Sequence, residues 1–314
     1  MNPLETKYGA LGPAEHVETA PDGSLAGLVP AGLFTLDTPL GRLTPQFSTD
    51  DMRRPKVEPL LFHPNGTLRS IALEERTEVA TPLGPMRAEL LTFYPCGNLR
   101  RVFPLNGKLS GYWTEKEEAA LIEPMTVATP AGTVTARLVG VQFHPDGALR
   151  SLTLWPGETV EADTPAGRIP VRIGLSFHRS GKLRSVEPAR PVQVSTPLGM
   201  LEAFDPDALG IHGDLNSLVF GEDGSTASLA TPAHTVEVTT PDGRTKLFEP
   251  EKTPNLCDER LTDIKALWIS FPPGKIVFGR EEEERQAFPL AGHQFKVGRL
   301  LVGVLGPIGY DCGI

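Results

Sequence analysis

One phrase, restated with variations, governs what this chain can fold into. It reads FHPNGTLRSIAL at 62–73, FYPCGNLRRVF at 93–103, FHPDGALRSLTLW at 143–155 and FHRSGKLRSVE at 177–187. Repetition of this kind dictates a fold made by stacking like units against one another. The common pattern F-x-x-x-G-x-L sets glycines at Gly66, Gly97, Gly147 and Gly181, with degenerate copies at Gly224 (FGEDGSTASL) and Gly274 (FPPGKIVF). A second pattern, T-P-x-G, alternates with it at Gly41, Gly84, Gly132, Gly167, Gly199 and Gly243. From Gly66 to Gly84 is 18 residues, from Gly147 to Gly167 is 20 and from Gly181 to Gly199 is 18. The return steps from Gly84 to Gly97, Gly132 to Gly147 and Gly167 to Gly181 are 13, 15 and 14. The module therefore spans about 32 to 35 residues and holds two turns, with insertions near 105–128 and 200–217.

Both patterns carry P-x-G, which has a definite backbone meaning. Proline presets φ for the first central position of a type I turn, Asp or Asn suits the second, and glycine takes the left-handed position of a G1 bulge. That is a three-residue hairpin loop. Around Pro64-Asn65-Gly66, Phe62 then faces Leu68 across the strands, and the same geometry pairs Phe93 with Leu99, Phe143 with Leu149 and Phe177 with Leu183. Leu60, Leu91, Val141 and Leu175 lie two residues before each Phe, as a period of two requires. Alternation sets His63 beside Arg69, Tyr94 beside Arg100, His144 beside Arg150 and His178 beside Arg184 on the opposite face. The T-P-x-G turns, entered through β-prone segments such as Val79-Ala80-Thr81, belong at the other end of the strands. The expectation is 12 to 14 strands, with short helices only in KEEAALIE (116–123) and at the start of LCDERLTDIKALWISF (256–271).

The stretch FYPCGNLRRVFPLNGKLSGYW resembles the MORN-type and YwqK-like bacterial repeat proteins, whose hairpins read Y-x-x-N-G-K-x-x-G-x-W. The likeness is closest at Asn106, Gly107, Lys108, Gly111 and Trp113, and looser at each F-x-x-x-G-x-L between 60 and 230. It implies an antiparallel hairpin array and an interaction role rather than an enzyme. The fold class expected is all-β: an antiparallel up-and-down meander of repeated hairpins, curled or two-layered. Residues 1–35 are an N-terminal segment or first hairpin, 36–249 the repeat array, and 250–314 a C-terminal cap, since repeat arrays need covered end faces. The charge run GREEEERQ reads as a solvated turn.

Charge narrows the partners. A net charge of −9 argues against nucleic acid, because phosphate binding needs a basic field. No run of about 18 apolar residues appears that would cross a membrane as a helix. The opening MNPLETKYGALGPAEH lacks the basic and apolar regions of a secretory signal, so the expected location is cytoplasmic. Cys96, Cys257 and Cys312 are too scattered for a disulfide scaffold and read as reduced thiols.

Chemistry is hard to find in the pattern. His63, His144 and His178 repeat, but equivalent hairpins lie two strands apart, about 10 Å, too far for ligands that must meet one zinc at ~2 Å. Neither a metal nor a cofactor is expected. There is no G-x-S-x-G elbow, no P-loop and no dinucleotide fingerprint, and Ser180 and Cys96 sit at hairpin tips. Asp205 with Asp207, and Glu222 with Asp223, read as turn residues. Arg69, Arg100, Arg150 and Arg184 occupy one repeat position: a solvated face bonded to acids such as Glu74 and Glu187, or a stripe that binds an acidic partner. Two functions stay open. One is a non-catalytic scaffold or binding module with a protein partner, or a second copy covering its apolar face. The other is an enzyme or small-ligand-binding protein with a pocket at the concave face or in the C-terminal cap.

Overall fold

The structure, a computed structural model, describes residues 4–210, 213–255 and 262–300. It is nearly all β, 54% strand and 3% helix. Among the described residues there are 29 strands, more than the 12 to 14 expected, because many modules break between a main-sheet strand and a separate ribbon. The chain divides into two compact units, 1–129 with 133–155 and 130–132 with 156–314. In the first, Ala14–Thr19, Leu25–Pro30, Leu60–Phe62, Leu68–Thr81, Gly84–Phe93, Leu99–Phe103, Leu138–Phe143 and Leu149–Leu154 form an antiparallel meander. In the second, the meander runs through Gly167–Phe177, Leu183–Pro188, Leu218–Phe220, Thr226–Thr231, Leu267–Ser270, Lys275–Phe278 and Gln286–Pro289. Among the described residues Ala14–Thr19 pairs with one neighbour only, and the sheet does not close into a barrel. No helix among the described residues is long and apolar enough to cross a membrane.

The P-x-G tips form as their chemistry dictates. At the Gly66 tip, His63 N donates to Thr67 O (2.7 Å) and Gly66 N to His63 O (2.9 Å), and the Gly97, Gly147 and Gly181 tips repeat both bonds. Gly66, Gly147 and Gly181 have φ of 71°, 89° and 85°, the left-handed region. All four expected Phe–Leu pairs are present: Phe62 with Leu68, Phe93 with Leu99, Phe143 with Leu149 and Phe177 with Leu183. These side chains are buried, and so are Leu60, Leu91, Val141 and Leu175.

Beyond that pair the register departs from simple alternation. Leu61 pairs with Ser70, Thr92 with Arg101, Gln142 with Ser151 and Ser176 with Ser185. Arg69, Arg100, Arg150 and Arg184 are therefore the extra residue of a β-bulge, one per hairpin. The repeat also begins earlier than the wording shows. TAPDGSL forms the same tip at Gly23, with Ala20 N to Ser24 O at 2.8 Å, and Thr19 pairs with Leu25.

The T-P-x-G turns use the threonine hydroxyl as a clasp. Thr81 Oγ1 donates to Gly84 O (2.6 Å) and accepts from Leu83 N (3.2 Å), and Thr38, Thr164 and Thr196 repeat the arrangement. Leu68–Thr81 runs from one kind of tip to the other, so the two turn types do lie at opposite ends of that strand. Gly243 belongs to the first kind instead: Thr240 N donates to Arg244 O and Gly243 N to Thr240 O, both at 2.9 Å. The T-P-x-G turn before it is Thr231-Pro232-Ala233-His234, where histidine replaces the glycine and Ala233 N reaches Thr231 Oγ1.

The first insertion carries the expected helix, Glu115–Ala119, opened by a Thr114–Glu117 capping box. Asn106, Gly107, Lys108, Gly111 and Trp113 lie in irregular backbone outside any strand. In the 250–314 region, Leu267–Ser270 pairs with Thr226–Thr231 and Gln294–Arg299 with His234–Thr239. Thr262–Lys265 and Leu267–Ser270 are strands, while 256–261, the expected helix start with Cys257, lies outside the described residues, as do His212, Cys312 and the 301–314 tail.

Candidate functional site

The repeated histidines are fasteners between hairpins. His63 Nε2 meets Phe93 O at 3.0 Å and His178 Nε2 meets Phe220 O at 3.0 Å, while Tyr94 Oη donates to Phe143 O at 2.8 Å. Each of these side chains thus meets the main-chain carbonyl of the next hairpin's Phe. Asn65 Nδ2 donates to Pro95 O and Asn98 Nδ2 to Pro145 O, both at 2.7 Å, locking tip to tip. His144 is half-buried and also engaged. Among the described residues, no three His, Cys, Asp or Glu side chains are placed to hold one metal ion.

Arg69, Arg100 and Arg184 are exposed, and Arg150 is half-buried and engaged. Arg100 lies over the Tyr94 ring at 5.7 Å. The acids expected beside them are committed elsewhere. Glu74 accepts from Phe47 N, Ser48 N and the Ser48 hydroxyl, and Glu187 accepts from Ser217 N and Ser217 Oγ, both at 2.8 Å.

Two clusters of buried charge were not legible as such. In the first unit, Arg53 forks between Glu118 (Nε to Oε2, 2.6 Å; Nη2 to Oε1, 2.8 Å) and Glu89 (Nη2 to Oε2, 2.7 Å; Nη1 to Oε1, 3.1 Å). Trp113 Nε1 and Gly107 N also donate to Glu118, and Asn106 N donates to Glu89. Hydrogen bonds to both acids outweigh burial and hold the Arg53 guanidinium above its ordinary pKa. All three of its nitrogens are bonded, so this cluster ties the insertion to the sheet and leaves nothing for a ligand.

The cluster in the second unit faces space. Glu187 closes the strand Leu183–Pro188, Asp205 and Asp207 open the second insertion, and Trp268 and Arg280 come from the region after 250. With Leu209, Leu215 and Ser217 they line a cavity of about 210 Å³. Asp205, Asp207, Trp268 and Arg280 continue into an outer cleft of about 440 Å³. Asp205 is a turn residue as expected, accepting from Asp207 N at 3.1 Å, but it is also buried in the cavity wall. Burial, followed by the Asp205 charge, pushes the Glu187 carboxyl up to about 7 against the Ser217 hydrogen bonds. Burial and then Asp205 and Asp263 raise Asp207 as well. A wider groove of about 630 Å³ runs between the hairpin tips, but its Ser180 and Lys182 are bonded to Glu222.

Comparison with protein-family models, with curated proteins and with solved structures finds no match for this chain.

Proposed function

We propose that the protein is a non-catalytic binding module whose partner is another protein. The observation that carries this reading is the division of labour within the repeat. His63, Tyr94 and His178 are spent on internal carbonyls, while the bulges present Arg69, Arg100 and Arg184 to solvent. A bulge re-aims one side chain without altering the strands around it, so the array presents a guanidinium at one fixed repeat position. Guanidinium groups so placed suit an acidic segment of a partner, which the chain's own net charge of −9 otherwise repels.

The test is quantitative affinity capture with the full chain and with an Arg69→Gln/Arg100→Gln/Arg184→Gln variant. A partner set that the parent retains at about 0.1 M salt, and that both the variant and about 1 M salt release, is the expected result. Identical capture by parent and variant would leave the arginines as a solvated face. A second reading, a small-ligand-binding protein, is favoured by one observation: the cavity into which Glu187, Asp205 and Asp207 converge.

A further inference from the structure

Arg69, Arg100 and Arg150 stand level with one another in the first unit. Gly27 pairs with Leu61, Leu61 with Ser70, Ser70 with Thr92, Thr92 with Arg101, Arg101 with Gln142 and Gln142 with Ser151. These residues form one line across the sheet, at right angles to the strands. Each of the three arginines comes one position before a member of that line. Ala26 holds the equivalent place before Gly27, so the charge begins at Arg69. One strand separates that of Arg69 from that of Arg100, and one separates Arg100 from Arg150. Neighbouring strands lie ~4.7 to 4.9 Å apart, so the arginines recur every ~9.4 to 9.8 Å.

Two of the three are open to solvent. Arg69 and Arg100 are exposed, and among the described residues neither has an ion-pair partner. The Arg100 guanidinium lies 5.7 Å from the centroid of the Tyr94 ring, whose hydroxyl is tied to Phe143 O at 2.8 Å. A ring fixed in this way holds the guanidinium and reduces the freedom it loses on binding. Arg150 is half-buried and engaged, and it extends the row without being needed for it.

A repeat of ~9.4 to 9.8 Å discriminates between conformations of an acidic segment laid along the row. In an extended strand one side recurs every second residue, so its carboxylates fall at ~6.6 or ~13 Å. In an α-helix the nearest match is seven residues, ~10.5 Å, and the mismatch grows with each step. A polyproline II helix has three residues per turn and rises ~3.1 Å per residue, so one side returns every ~9.3 Å. Its backbone is solvated and already ordered before binding, which keeps the entropic cost small.

We propose that the arginine row binds a polyproline II segment with an acidic residue at every third position. Consecutive carboxylates meet Arg69 and Arg100, and the next reaches the place of Arg150. This rests on the reading of the arginines as sites for an acidic protein segment. Single exposed charge pairs contribute little, so recognition comes from the matched spacing, which engages both guanidiniums at once.

The experiment is fluorescence anisotropy of labelled peptides with the full chain at about 0.1 M salt. One peptide is four repeats of Glu-Pro-Pro. A second has the same composition with its glutamates at alternate positions. A third is an alanine-rich helix with as many glutamates, one at every seventh position. The first should bind about fivefold or more tightly than either of the others. Arg69→Gln/Arg100→Gln should abolish that preference, and Arg244→Gln should leave it intact. Should the double variant lack a parent-like thermal transition, Arg69→Gln alone decides by the same criterion. Equal affinity for all three peptides, lost in the double variant, would overturn the proposal and leave the acidic-segment reading standing. A preference for the helix or for alternate glutamates would do the same. If no peptide binds, or all bind parent and double variant alike, both fall. Tighter binding of a twelve-nucleotide oligothymidylate, lost in the double variant, would assign the row to nucleic acid and overturn both.

Discussion

Glu187 couples its charge to the stability of the fold. Its folded carboxyl sits at about 7 against an ordinary 4.5, so the folded state holds this proton more tightly than the unfolded chain does. Its contribution is fully present below about 4.5 and is lost as pH rises through about 7. The interval corresponds to roughly 3 kcal/mol at ~1.4 kcal/mol per pH unit. Glu187→Gln keeps a carbonyl for Ser217 and removes the titration. Urea unfolding from pH 5 to 8 should show the parent losing stability relative to this variant, most of it between pH 5 and 7. Parallel curves for the two would show that the buried proton sits elsewhere. His234 works in the opposite sense. Burial, then Arg299, lowers its pKa, and its Nδ1 accepts from Glu202 N at 3.3 Å, which a protonated ring cannot do. Its contribution is present above about 6.5 and is lost as pH falls, so the Glu187 effect is read cleanly only against Glu187→Gln.

At the level of the hairpin, glycine is required for backbone reasons alone. A Cβ at Gly66 would meet nothing within 4 Å, yet its φ is +71°. Gly66→Val should therefore cost ~1 to 3 kcal/mol through strain, read as a lowered urea midpoint with an unchanged slope. A midpoint equal to the parent's would refute the bulge-tip assignment. The insertion clamp is predicted to matter more. Arg53→Met leaves Glu89 and Glu118 buried without their cation and should cost about 3 to 5 kcal/mol. It should also expose residues 105–113 to proteolysis at protein concentrations where the parent resists. If digestion is unchanged, the Arg53 fork does not hold the insertion down. These elements also mark how far the sequence could be read. The tips at Gly66, Gly97 and Gly147 were legible because P-x-G chemistry is local, and the Gly181 tip because it keeps the F-x-x-x-G-x-L spacing without the proline. The bulge was not, since alternation counted from the tip sets Arg69 opposite Leu61, and only the ladder shows Ser70 there. The turn at Thr231-Pro232-Ala233-His234 was hidden by a histidine in the glycine's place. Glu187, Asp205, Ser217 and Trp268 come from three segments up to about 80 residues apart, and no local pattern links them.

At the scale of the whole molecule, an open meander must protect its edge. Among the described residues, Ala14–Thr19 pairs only with Leu25–Pro30, and all six of its residues are exposed. Its other side has no strand partner among the described residues, and such an edge is the usual template for joining a second chain. Two features oppose this: Glu15 and Glu18 on the strand itself, and a net charge of −9 on every copy that approaches. Like charges brought edge to edge repel, and each must be desolvated for the ladder to form. The strand is otherwise β-prone enough to pair, with Val17 exposed at its centre. Glu15→Val with Glu18→Thr removes both edge charges and lowers the magnitude of the net charge by two. That variant should keep a parent-like thermal transition but associate through the edge, seen as a rise in weight-average mass by light scattering. The rise should be steeper at about 1 M salt, where screening at ~3 Å removes what remains of the long-range repulsion. A variant whose mass stays equal to the parent's at both salt concentrations would show that something other than Glu15 and Glu18 guards this edge.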